Sequence, residues 1–197
     1  VAQHIFYMEL PFVYRVHGSH ISATIENFRK FVSVLGHKII GNRKDITPKA
    51  MQNMLEQLKN TEEYSILASM LLRSMQKAVY DKENIGHYGL ASKCYTHFTS
   101  PIRRYPDLIV HRLLRKYLYE NKIDEETINT YEYKLKDITE HSSERERAAV
   151  DCEREVDDMK KAEYMQDHIG EEFDGIISSV TPFGMFVELP NLIEGLV

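Results

Sequence analysis

Long apolar runs are missing from this chain. The longest, Ile66 to Leu72, is interrupted by Ser69 and falls far short of the roughly 20 residues a membrane-spanning helix needs. The first residues lack the charged and apolar regions of a signal peptide. Cysteine is scarce as well: Cys94 and Cys152 form no CxxC pair, which excludes a thiolate zinc site and a disulfide framework and points to a reducing, cytoplasmic setting. A clustered aspartate run of the DxxxxxDxDD kind that cages a metal ion does not occur either, and Asp157-Asp158 and Glu171-Glu172 are pairs on a helix and at a strand start, not a cage. No internal repeat and no low-complexity tract is present. What remains is 197 residues with 43% hydrophobic content, enough to bury a real core as one globular unit with part of a second. Both ends read as interior to a longer protein, since Val1 to Leu10 resembles the end of an uncapped helix and Glu194 to Val197 an unfinished strand.

The apolar spacing divides the chain into elements. Phe12 to His17 alternates like a short strand, and Ser22 to Leu35 sets Ile25, Phe28, Phe31, Val32 and Leu35 at helical spacing, with Gly36 as the stop. Thr47-Pro48 predicts a helix start, Thr as N-cap and Pro in the first turn, followed by Met51, Met54, Leu55 and Leu58 on one face. A further helix is expected from about Glu62 to Val79. The methionines Met51, Met54, Met70 and Met75 read as core filler. Gly86 to Leu90 breaks the helical pattern, which resumes from Pro106 to Tyr119 and from Glu125 to Ile138. Glu144 to His168 reads as a separate, strongly charged helix with Ala149, Cys152, Val156, Met159 and Met165 inward. From about Glu171 the pattern turns to strands, Phe173 to Thr181 and Met185 to Leu189, around a Pro182-Phe-Gly184 turn.

One segment concentrates charge of a single sign. Between Lys93 and Lys116 the cations are Lys93, Arg103, Arg104, Arg112, Arg115 and Lys116, against the single carboxylate of Asp107, in a chain whose net charge is -5. Basicity placed this way suits a local anionic partner, a phosphodiester first, better than a generally cationic surface. Within the run Tyr95-Thr-His-Phe-Thr-Ser-Pro-Ile-Arg-Arg-Tyr-Pro-Asp107, Ser100-Pro101 is a helix-start pair. Backbone amides at such a start, beside Arg103 and Arg104, make an anion site from dipole and charge together. Pro106 removes a donor so soon afterwards that the first turn and the helix carrying His111 and Arg112 are candidates for separate pieces. Asp107, one turn from both Arg103 and His111, can orient an arginine, fix the histidine tautomer, or serve as a structural ion pair.

These residues resemble a known signature. His87-Tyr-Gly-Leu90, the run Tyr95 to Asp107 and His111-Arg112 are similar to the motif of the RNB family of exoribonucleases, the ribonuclease II and ribonuclease R family, in its bacterial ribonuclease R branch. The likeness extends to Val1 to His17, Leu71 to Lys77, Glu144 to Met165 and the final strands. It implies processive 3′-to-5′ hydrolysis of RNA to nucleoside 5′-monophosphates with magnesium as cofactor. Arg103 corresponds to the arginine that stabilises the scissile phosphate, with Arg104 as support, and Glu153 to a glutamate near the terminal nucleotide. Tyr95, Thr99, Ser100 and Arg112 are assigned to RNA contacts. Phe173 to Leu189 with Glu194 to Val197 resembles the opening of an RNA-binding OB-fold module, in which Phe183 and Phe186 match base-stacking aromatics. Phe186 fits barrel core equally well. The family's magnesium is held by clustered aspartates, and no such cluster occurs here.

The resulting expectation is an α+β fold: residues 1–170 as the mostly helical carboxyl-terminal half of an RNB catalytic domain, then residues 171–197 as the first strands of an OB-fold barrel. The implied partners are the single-stranded 3′ end of RNA and the rest of the parent polypeptide, without a membrane. No metal ligand is assigned in this chain, and alone it is expected to be inactive. Two alternatives carry less of the pattern. A non-catalytic RNA-binding or regulatory protein on the same fold would lack aspartates upstream of Val1. An all-helical scaffold leaves the Ser-Pro-Ile-Arg-Arg run unexplained.

Overall fold

The computed structural model describes residues 1–19, 22–34, 47–59 and 64–197. They form two compact units, Val1–Arg145 and Glu146–Val197.

The first unit is built around a two-stranded antiparallel ribbon. Helix α1 (Ala2–Tyr7) leads into strand β1 (Tyr14–Val16), which pairs with β2 (Val79–Asp81) in the register Tyr14↔Asp81, Arg15↔Tyr80 and Val16↔Val79. Between the strands lie α2 (Ser22–Val34), α3 (Pro48–Leu58) and α4 (Tyr64–Ser74). Helix α3 starts as the sequence predicts, with the Thr47 hydroxyl accepting from the Ala50 amide at 3.2 Å. Phe28 and Val32 of α2 interlock with Leu67 and Leu71 of α4, and Met70 and Met75 pack around them as filler. Phe31 is exposed instead of joining that stripe. The expected helix stop at Gly36, the start at Glu62 and the side chains of Ile25, Leu35, Met51, Met54 and Leu58 lie outside the described residues. Helix α4 ends at Ser74, short of the expected Val79. β-branched Val79 and aromatic Tyr80 suit a strand, and pairing with β1 overrides the helical pattern there.

The main core joins this ribbon to the helices after it. Ile5, Phe12, Val13, Tyr14 and Val16 meet Tyr80, then Ile109, Val110 and Leu113 of α5 (Tyr105–Leu114), Tyr117, and Leu135 of α6 (Glu125–Gln166). Helix α5 passes into a π-helical turn, Arg115–Tyr119, which seats the Tyr117 ring in the core. Its hydroxyl donates to the Pro11 carbonyl at 3.0 Å, and burial holds its pKa well above the ordinary tyrosine value.

Helix α6 is one element of 42 residues where the sequence suggests two. His141-Ser-Ser143 looks like a break, yet the hydroxyls of Thr139, Ser142 and Ser143 turn back onto the carbonyls of Leu135, Ile138 and Thr139 at 2.8, 2.6 and 2.8 Å. Ser143 also accepts from the Tyr80 amide at 2.9 Å, tying α6 to β2. Further along, Cys152, Val156 and Met159, expected inward, are exposed, as is Ala149; Met165 is half-buried. Helical spacing marks a face that could pack, and tertiary contacts decide whether it does.

In the second unit, strands β3 (Ile176–Thr181), β4 (Gly184–Glu188) and β5 (Glu194–Leu196) form an antiparallel sheet in that order. A bulge at Ser178 lets Ile177 pair with Val187 and Ser179 with Phe186. The register therefore puts Ile177, Val180, Met185 and Val187 on one, wholly apolar face. Phe186 lies on the other, with Ile176, Ser179, Thr181, Glu188, Glu194 and Leu196. Gly184, at φ +153°, sits where a Cβ would come within 2.6 Å of the Val197 carbonyl oxygen, so the tight β3–β4 turn needs glycine. Helices first and a small antiparallel sheet last make the chain α+β, as the patterning indicates.

Candidate nucleic-acid interface

Two elements clamp the segment that carries the basic motif. On the strand side, the Arg15 amide donates to the Tyr95 carbonyl at 2.9 Å and the Thr96 hydroxyl to the Val13 carbonyl at 2.7 Å. On the helix side, His111 of α5 donates through Nε2 to the Phe98 carbonyl at 2.9 Å while its ring stacks on Phe98, centroids 4.4 Å apart. His111 is thereby committed to Phe98, which leaves Asp107 for the arginine.

Beyond this clamp, residues 101–103 form a turn closed by the Ser100 carbonyl, which accepts from the amides of Arg103 and Arg104 at 3.3 and 3.0 Å. Helix α5 starts only at Tyr105, with extended Arg104 as N-cap. The expected start at Ser100-Pro101 is thus displaced by four residues. Pro106 has no amide to offer Ile102 and its ring would strike that carbonyl, so no helix can run through from Pro101. Both arginines still stand at a helix entrance, where dipole and charge act together. Arg103 is exposed, flanked by exposed Ile102 and Tyr105.

Asp107 closes the turn from beneath. Its side chain is 0% exposed, and its Oδ2 accepts from the Ser100 amide and from Arg104 Nη2, each at 2.8 Å. Arg104 itself is 21% exposed. Thr99 is exposed, and Arg112 is exposed two turns along α5 from Arg104. The Ser100 contribution is its backbone, which binds Arg103, Arg104 and Asp107.

Tyr95 belongs to a run of rings that sequence reasoning missed. His17, His87, Tyr95, His97 and Tyr80 follow one another edge to face at centroid distances of 5.0, 5.3, 5.7 and 5.5 Å, and the Arg15 guanidinium sits 4.6 Å over Tyr80. Two imidazoles, His87 and His97, thus stand edge to face with the half-buried Tyr95 ring. The signal in the sequence was the repeated alternation Arg15-Val-His17 and Tyr95-Thr-His97, which lines rings on one side of extended chain. His17 donates to the Gln76 carbonyl at 2.6 Å and accepts from the Gly89 amide at 3.0 Å. Burial, with repulsion from His17 and Arg15, lowers the pKa of His87. An open cavity of about 1200 Å³ borders these rings between Phe6, Tyr7, His87 and Lys93, but neither arginine lines it. For a polymer's phosphates the exposed, braced arginine turn is the better-suited surface.

Glu153 is an exposed residue of α6 in the second unit. There too, Phe183 projects from the β3–β4 turn at 84% exposure, and Phe186 lies on the mixed face. Among the described residues no group of three or more His, Cys, Asp or Glu could hold a metal ion, so the residues present do not fit the implied magnesium. No helix among them is long and apolar enough to cross a membrane.

Known proteins resemble this chain in sequence and in fold. The RNB domain family matches residues 1–120 and the S1 RNA binding domain residues 166–197, and the chain belongs to the RNB family. Ribonuclease R 1 of Lactococcus lactis subsp. lactis is 51% identical over 100% of this chain and 24% of its own length. Ribonuclease R of Thermotoga maritima is 44% identical over 100% of this chain and 28% of its own length. The structure of Mycoplasma genitalium RNase R in complex with ribose-methylated single-stranded RNA superposes with a TM-score of 0.92 at 30% identity, over 99% of this chain and 31% of that one. The chain thus spans about a quarter of the length of the curated relatives it matches. The family depends in general on a divalent metal.

Proposed function

We propose that this chain is part of a cytoplasmic ribonuclease that degrades RNA processively from a single-stranded 3′ end to nucleoside 5′-monophosphates. Residues 1–170 contribute to the catalytic domain and residues 171–197 open an OB-fold RNA-binding module. The observation that carries the reading is the exposed Arg103 on a turn fixed from two sides, within a chain that belongs to the RNB family. As water attacks the phosphodiester, charge grows on the phosphoryl oxygens. A guanidinium already in place stabilises it without reorganising, which is worth roughly 10²–10³ in turnover for a single preorganised donor. Arg104 supports it, and Arg112 and Thr99 hold the neighbouring backbone. Tyr95, edge to face with His87 and His97, contributes a further RNA contact. Glu153 contacts the terminal nucleotide.

Phe183 and Phe186 offer stacking surfaces. The register favours this use of Phe186 over barrel core, because the apolar face of the sheet is the opposite one. Magnesium is the metal we assign to the enzyme, on carboxylates outside these residues, and the chain by itself is accordingly inactive. The test is product analysis with the full-length polypeptide and single-stranded RNA labelled at its 5′ end or internally. Mononucleotides released from the first turnovers while the 5′ label stays on long RNA support the reading. Internal cuts, or RNA bound and never shortened, contradict it and favour a non-catalytic RNA-binding role.

A further inference from the structure

A carboxylate with no exposed surface sits beneath the arginine turn, and its partners come from both ends of that turn. The Ser100 amide and Arg104 Nη2 both reach Asp107 Oδ2 at 2.8 Å, spanning seven and three residues of sequence. An ion pair whose carboxylate is wholly buried is weak evidence of a stability role, since apolar replacement of buried pairs is often neutral or stabilising. The arrangement must be explained by what it holds. Among the described residues, the buried side-chain polar atoms without a hydrogen-bond partner are Arg104 Nε and Asp107 Oδ1. Nε shares an edge of the guanidinium with Nη2, and Oδ1 belongs to the same carboxylate as Oδ2. With Nη2 already on Oδ2, bringing Nε onto Oδ1 completes a side-on fork of two parallel charge-assisted bonds. Such a fork takes one edge of the guanidinium and leaves Nη1, on a side chain 21% exposed, outside it.

We propose that Asp107 is a positioning residue for phosphodiester hydrolysis. It grips Arg104 by its Nε/Nη2 edge and the Ser100 amide together, so that the remaining edge of Arg104 and the turn bearing Arg103 are aimed at the RNA phosphate before it arrives. The inference rests on the reading of this turn as part of a nuclease site. Lysine at 104 could keep the charge pairing but not the two-edged geometry, because an ammonium is a point charge without a fork.

The experiment uses the full-length polypeptide. It measures kcat and KM on a labelled single-stranded oligoribonucleotide, RNA affinity without turnover, and thermal unfolding, for Asp107→Asn, Arg104→Lys, their double variant and Arg103→Ala. A group that matters only in the transition state lowers kcat without weakening binding. Asp107→Asn should therefore lose about tenfold or more in kcat with KM and affinity within about threefold of wild type. Arg104→Lys should behave alike, and the double variant should be no worse than the poorer single one by more than about twofold, because both act through one guanidinium. Wild-type kcat for Asp107→Asn, with or without a lowered melting point, overturns the proposal, as does multiplication of the two losses in the double variant. If Asp107→Asn does not fold, Arg104→Lys decides: a tenfold loss supports the proposal and unchanged kcat ends it. Arg103→Ala separates the two levels. Full turnover in that variant sinks the site reading itself, whereas a crippled Arg103→Ala beside a fully active Asp107→Asn sinks only the positioning role.

Discussion

His87 links local structure to pH at the scale of a single residue. Its Nδ1 caps the 3-10 turn Tyr88–Leu90 by accepting from the Leu90 amide at 3.2 Å, and its ring lies between His17 and Tyr95. A proton on Nδ1 destroys that cap, and burial with the nearby His17 and Arg15 already disfavours the charged ring, so the folded pKa lies below the ordinary 6.5. The unfolded chain then binds more protons in the window between the two values. The stabilisation is present above pH 6.5 and is lost as pH falls through 6.5 toward the folded pKa. Urea unfolding followed between pH 7.5 and 5.5 should show this loss, and His87→Asn, which keeps a capping oxygen without titrating, should flatten it. Equal acid limbs in both proteins would exclude His87 as the source. At this scale the sequence disclosed the two arginines through their charge and spacing. It left open whether Asp107 served an arginine or His111, because two partners one turn away on either side are indistinguishable until Phe98 claims the histidine. The ring ladder stayed hidden because its members come from segments up to 80 residues apart and meet only across the β1–β2 ribbon.

The elements show where pattern and packing part company. Thr47-Pro48, the break at Gly86 and the hairpin at Pro182-Phe-Gly184 were legible, because capping oxygen, missing amide and positive φ are local properties. Helix α6 was not legible as one piece. Ser142 and Ser143 look like a break to any rule based on propensity, and only the back-bonding of both hydroxyls and the grip of Ser143 on β2 make them interior residues. These two serines differ in consequence. Ser143→Ala leaves the buried Tyr80 amide without its acceptor and should cost about 1–3 kcal/mol in urea unfolding. Ser142→Ala loses only a bond to its own helix and gains helix propensity, so it should fall within about 0.5 kcal/mol of wild type. Equal costs for the two would mean that α6 is not pinned to β2 through Ser143.

At the scale of the whole molecule, a match to the RNB domain over residues 1–120 and one to the S1 RNA binding domain over residues 166–197 share a chain that covers about a quarter of its relatives' length. The arginine turn can supply charge and orientation, and among the described residues no group of three or more His, Cys, Asp or Glu could hold a metal ion, so the proposed activity is tested on the full-length polypeptide. In the proposed activity Arg103 acts on the scissile phosphate and is not one more backbone contact. Phosphate contacts are numerous along a bound RNA and nearly redundant for affinity, whereas a transition-state contact is not. The direct measurement is the single-turnover cleavage rate of full-length Arg103→Ala on saturating single-stranded RNA, set beside its affinity for the same RNA. The expected result is a rate lowered by roughly 10²–10³ with affinity changed by less than about threefold, and little recovery in Arg103→Lys. A variant that cleaves at the wild-type rate once bound, and binds every RNA more weakly by one common factor, would contradict it.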